Sequence, residues 1–204
     1  MRDLDKALSD ISTIRSRIAA DTAFRGYGPA ALAASGALAL ITALAQRLWL
    51  AEQTGQALHF LGSWGAAAAL SIGLIGFEMR RRARHHHSGL ADTMIRQAMD
   101  QFLPAAAAGV LLPLFIAGYA PEAAWMMPGL WQVLMGLGLF ASARSLPRPV
   151  TLVAAFYLLA GFAVLLIASD TRALSPWTMG VPFVLGQFAM AAIVHVSGKR
   201  HAED

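Results

Sequence analysis

Apolar residues run along this chain in long blocks rather than in short alternations. Six blocks stand out, at about 28–50, 59–79, 102–119, 125–143, 149–168 and 178–197. Each is close to the roughly 20 residues that carry a helix across a bilayer core. Residues 2–22 keep a different rhythm. Leu4, Leu8, Ile11, Ile14 and Ile18 recur at steps of three and four, which is one helical face, and the other face holds charges of both signs. Gly26, Gly28 and Pro29 then break that helix and open the first block. The pattern predicts an all-α, polytopic six-helix transmembrane bundle over 27–204, preceded by a cytoplasmic amphipathic helix and linker over 1–26.

The joints are short except for residues 80–101. There Ser88 suits a helix N-cap, Asp92 and Arg96 form a favourable i,i+4 pair, and Leu90, Met94, Ala98 and Met99 are apolar at helical spacing. The third span is therefore expected to begin as a cytoplasmic helical extension. Together with residues 2–22 it offers an apolar surface suited to packing, to the membrane surface or to a partner.

Composition agrees. The chain is 57% hydrophobic and 14% charged, with mean hydropathy +0.54, too little charge to solvate a globular surface. It has no cysteine, which excludes disulfides and thiol chemistry. Charges scattered through residues 1–26 are unlike a secretory signal, so the first span is expected to be retained.

The distribution of charge sets the orientation. With the N-terminus inside, Arg2, Lys6, Arg15, Arg17, Arg25, Arg80, Arg81, Arg82, Arg84, Arg96, Arg144, Arg148, Lys199 and Arg200 all fall on the cytoplasmic side, and only Arg47 and Arg172 fall outside. Both termini are then cytoplasmic. Trp49, Trp64, Trp125, Trp131 and Trp177 all fall in the outer halves of their spans, as interfacial tryptophans do.

Small residues at four-residue spacing mark close helix approach. They occur at Ser35, Ala39 and Ala43 on the first span and at Gly65, Ala69 and Gly73 on the second. Packing within one bundle is the expected use, and an interface between two copies is the other. Pro113, deep in the third span, deprives the Gly109 carbonyl of its usual donor and predicts a kink. The hairpins opened by Pro29 and Pro149 are nearly equal in length, but they share too little identity to establish a repeat.

Candidate chemistry is sparse. No ionisable residue lies at a span centre: Glu78 and His195 sit near inner ends and His59 at an outer mouth, which argues against a proton relay. Thr42, Ser71, Tyr157 and Gln187 could converge as a mildly polar midplane cluster, or Gln187 could simply bond a neighbouring helix. His85, His86 and His87 point about 100° apart on a helix and cannot all ligate one ion. They follow Arg80, Arg81, Arg82 and Arg84, which read as a collar for anionic lipid head groups. His59 and His195 fall at opposite faces, which does not suit haem. No nucleotide loop, nucleophile elbow, metalloprotease motif or nucleic-acid motif is present.

Several segments carry a resemblance: Phe-Arg-Gly-Tyr-Gly-Pro at 24–29, His-Ser-Gly-Leu-Ala-Asp at 87–92, Phe-Leu-Pro-Ala at 102–105, Pro-Gly-Leu-Trp-Gln at 128–132, Leu-Pro-Arg-Pro at 146–149 and Arg-Ala-Leu-Ser-Pro-Trp at 172–177. Over nearly its whole length the chain resembles a group of small, uncharacterised bacterial six-helix inner-membrane proteins, often encoded beside a winged-helix transcription regulator. The resemblance implies a bacterial inner membrane and a regulatory partner, and no activity. The expectation is a non-enzymatic, cofactor-free regulatory or scaffold protein. It would contact anionic lipid, hold a cytoplasmic protein partner, have self-association open to it, and bind no nucleic acid. The alternative is a small channel or transporter along the midplane polar residues.

Overall fold

The computed structural model describes residues 28–49, 56–85, 89–143 and 146–203, with backbone alone at 49, 56, 82–85, 89–98 and 198–203. The described residues form six α-helices and no strand: α1 Pro29–Trp49, α2 Gln56–His85, α3 Gly89–Tyr119, α4 Met127–Ala141, α5 Val150–Thr171 and α6 Pro176–Glu203. A 3-10 turn, Pro121–Met126, leads into α4. Six helical stretches are long and apolar enough to cross a membrane: Pro29–Leu48, Ala57–Arg81, Met99–Tyr119, Pro121–Ala141 (the 3-10 turn together with α4), Val150–Thr171 and Pro176–Ser197. This is the architecture of a multi-pass membrane protein. The proposed amphipathic face of Leu4, Leu8, Ile11, Ile14 and Ile18 lies outside the described residues.

The tightest pairings are α4 with α5 and α1 with α6, and glycine makes both. A Cβ on Gly129 would stand 2.8 Å from the Gly161 carbonyl oxygen, and one on Gly161 would stand 2.7 Å from that of Gly129. Seven residues along α4, a Cβ on Gly136 would meet the Ala154 carbonyl at 2.9 Å. Backbone thus lies on backbone across this antiparallel pair. On the other pair, a Cβ on Gly36 would sit 3.2 Å from Gln187 Cβ, and one on Gly180 would sit 2.6 Å from Ala43 Cβ. Water offers no hydrophobic drive between helices inside lipid, so close approach through small residues is the main source of attraction.

Neighbours run in the order α2, α1, α6, α5, α4, α3, and α2 meets α3 where Ala57 and Leu61 pack with Leu112 and Ile116. Beyond that junction the flanks of α2 and α3 are open, with Leu70, Ile72, Phe77, Leu103, Val110 and Leu111 exposed. The two small-residue stripes therefore differ. Ser35, Ala39 and Ala43 are buried against the bundle. Gly65 and Gly73 have no atom within 4 Å of an added Cβ, and Ala69 is exposed. The second stripe is not used within the bundle, because α2 leans on α1 by its opposite side.

One end of the bundle carries Arg80, Arg81 and Arg148, all exposed. The other carries the short joints. There α5 closes at Arg172, whose φ of 50° is the one left-handed value among the described non-glycine residues, and whose N–H donates to the Ala168 carbonyl at 2.8 Å. Arg47 also lies at that end, exposed near the end of α1.

Candidate functional site

Among the described residues no charged side chain is buried, and the largest buried polar side chains are three glutamines. The first, Gln46, ties α1 to α2. Its amide donates to the Phe60 carbonyl at 3.2 Å and to Ser63 Oγ, and its Oε1 accepts from Trp64 Nε1 at 2.8 Å. Each polar group of Gln46 has a partner, which is what burial in hydrocarbon demands. Gln46→Leu leaves the buried Trp64 N–H unpaired and is expected to destabilise the fold by about 1–3 kcal/mol. Equilibrium unfolding in mixed micelles reads this directly. Adding Trp64→Phe to Gln46→Leu should cost little more by way of hydrogen bonding, because the orphaned donor is then gone.

The second, Gln132, is fully buried on α4 and donates its amide to the Thr178 carbonyl on α6 at 2.7 Å. That carbonyl lacks its helical partner, because the residue four positions on is Pro182, which has no N–H. The neighbouring residue does the same for another helix. Trp131 Nε1 donates at 2.7 Å to the Gly109 carbonyl on α3, which is freed by Pro113. The donor that Gly109 needs therefore comes from a side chain of α4. Trp131 accordingly lies at mid-span rather than in an interfacial belt, and Trp64 is likewise buried in the bundle. Two of the five tryptophans serve interior hydrogen bonds, which the interfacial pattern did not separate from anchors.

The third, Gln187, lies at the middle of α6. Its carboxamide bonds the Tyr157 hydroxyl. Gln187 Oε1 has no partner in the protein, so the amide nitrogen is the donor. The Tyr157 hydroxyl in turn lies 3.4 Å from the Phe183 carbonyl, near the limit of a hydrogen bond. The Tyr157 ring is fully buried, lies over Gly186, and meets Phe183 edge-on at 5.4 Å between centroids. Gln132 Oε1 shares the condition of Gln187 Oε1, buried with no protein donor.

Of the four residues expected at the midplane, the structure thus brings Tyr157 and Gln187 together. Thr42 donates instead to the Leu38 carbonyl of its own helix at 2.8 Å. Ser71 is half-buried on α2, a helix that packs chiefly on α1. In the basic collar Arg80 and Arg81 are exposed, while the side chains of Arg82 and Arg84 lie outside the described ones. His86 and His87 are also outside the described residues, and among those described no three metal-ligating groups gather. Gln46 and Gln132 could have been found in the sequence as amides within apolar spans. Counting back four residues from Pro182 gives the freed Thr178 carbonyl, but only the packing of α4 on α6 gives Gln132 as its donor.

Comparison with family models, curated proteins and solved structures finds no match. The functional reading therefore rests on this chain's own residues.

Proposed function

We propose that this protein is a non-enzymatic regulatory or scaffold protein of the bacterial inner membrane, with both termini cytoplasmic, that holds a cytoplasmic protein partner. The observation that carries this reading is the unequal length of the helices. α1 and α5 have 21 and 22 residues, enough for the bilayer core. α2, α3 and α6 have 30, 31 and 28 residues, about 42–46 Å each against a core of about 30 Å. By alternation of the spans, their extra turns leave the bundle at one end, the end of Arg80 and Arg81. The positive-inside rule makes that end cytoplasmic, and Arg80 and Arg81 are placed to meet anionic head groups.

The test is partner capture. A photo-cross-linker at position 8 or 14 in cells should trap a cytoplasmic protein, and deletion of residues 1–22 should lose it. Retention of every partner by the deletion variant would sink this reading.

A second reading, a small channel or transporter, is supported by the Tyr157–Gln187 pair at the midplane and by the prolines inside the continuous helices α3 and α6, which leave backbone carbonyls free of helical partners. It requires a flux in liposomes that Gln187→Leu changes. Equal flux in wild type and variant would count against it.

A further inference from the structure

Trp131 and Gln132 are consecutive, yet they serve different helices. Successive residues on a helix point about 100° apart, so one turn of α4 can face α3 with one side chain and α6 with the next. Both donate an N–H at 2.7 Å, and each acceptor is the carbonyl four residues before a proline. These are the places where a helix lacks an internal tie and bends most easily. The turn that carries both donors is itself held. Gly129 and Gly136 flank it, and both lie against the α5 backbone so closely that no side chain fits. A rigid pair, α4 with α5, therefore reaches out to the weak points of the helices on either side.

We propose that Trp131 and Gln132 act as one latch that sets the bend of α3 at Pro113 and the bend of α6 at Pro182 together. α3 and α6 are also two of the three helices that run past the membrane at the arginine end. Movement of this one turn of α4 then repositions both extensions at once. The latch stands on the hydrogen bonds and the prolines, and it holds or fails independently of the partner reading.

The chain has no cysteine, so spin labels can be placed without background. Three exposed sites at the arginine end serve: Leu152 on α5 as the fixed reference, Asp100 on α3 and Val196 on α6. Distances from 152 to 100 and from 152 to 196 are measured by pulsed electron spin resonance on the full chain in nanodiscs. In the otherwise wild-type protein each distance should be a single narrow distribution. Gln132→Leu removes only the tie to α6, yet it should shift or broaden both distances, and so should Trp131→Phe. If each variant moves only its own helix, or neither distance changes, there is no shared latch.

Pro182→Ala guards against general loss of packing, because it returns a backbone N–H to the Thr178 carbonyl. In that background Gln132→Leu should leave both distances where Pro182→Ala alone puts them. An undiminished effect of Gln132→Leu without Pro182 would show that it acts through packing rather than through the freed carbonyl, and would overturn the proposal.

Discussion

Gly161→Leu is expected to destabilise the bundle by about 3 kcal/mol or more, the upper end of the range for overpacking a close-packed interior. At this position even one added carbon would lie 2.7 Å from the Gly129 carbonyl oxygen and 2.9 Å from the Val133 nitrogen. Backbone cannot move aside as a flexible side chain can, so α4 and α5 must separate. That separation also withdraws the support of Trp131 and Gln132. Reversible unfolding in mixed micelles measures the effect. The contrast is Gly73→Leu on the open face of α2, where nothing stands within 4 Å of an added Cβ. A change there should stay within about 0.5 kcal/mol, as at an ordinary surface site. If Gly161→Leu were as mild as Gly73→Leu, the glycine contact would not be what holds α4 to α5. A large loss at Gly73 would show that its face is occupied in the membrane.

The second large effect is expected at Tyr157. Tyr157→Ala empties a fully buried site between Phe156, Phe183 and Gly186 and should cost about 3–5 kcal/mol, as aromatic truncations in cores do. Tyr157→Phe keeps the ring and removes only the hydroxyl. It takes an acceptor from the Gln187 amide and a long bond from the Phe183 carbonyl. The expected loss is about 1–2 kcal/mol. The pair of variants separates ring from hydroxyl under the same unfolding assay. Equal losses for Phe and Ala would place the stabilisation in the polar contact instead of the filled volume. An unchanged Tyr157→Ala would mean that the centre of the bundle is not packed as described.

The membrane spans were legible because hydropathy is summed over a whole helix, and the sum tolerates local exceptions. The expected 149–168 and 178–197 meet spans at Val150–Thr171 and Pro176–Ser197. Apolar spacing puts the fourth block at 125–143, whereas its span begins at Pro121, because the 3-10 turn carries the chain into the apolar zone earlier than helical spacing suggests. Side-chain partners were far less legible. Which amides meet depends on the order of helices around the bundle, and a list of apolar blocks does not contain that order. The sequence groups Tyr157 and Gln187 with Thr42 and Ser71 as one midplane cluster, and these two meet because α5 and α6 pack together. Thr42 was grouped with them by depth alone, but its hydroxyl is short enough to be satisfied by its own backbone. Trp131 looked like an interfacial anchor by its position in the block, and only the freed Gly109 carbonyl explains its place at mid-span.

The pairing of α1 with α6 bears on how the protein is made. α1 has its main partner in α6, so Gly36 and Ala43 must wait in lipid until Gly180 and Gln187 have been synthesised. Contacts so distant in sequence form slowly and leave incomplete chains exposed. α4 and α5 can close on each other without α6, whereas α1 cannot cover Gly36 and Ala43 until α6 arrives, so a chain that lacks α6 is marked by an open α1 face.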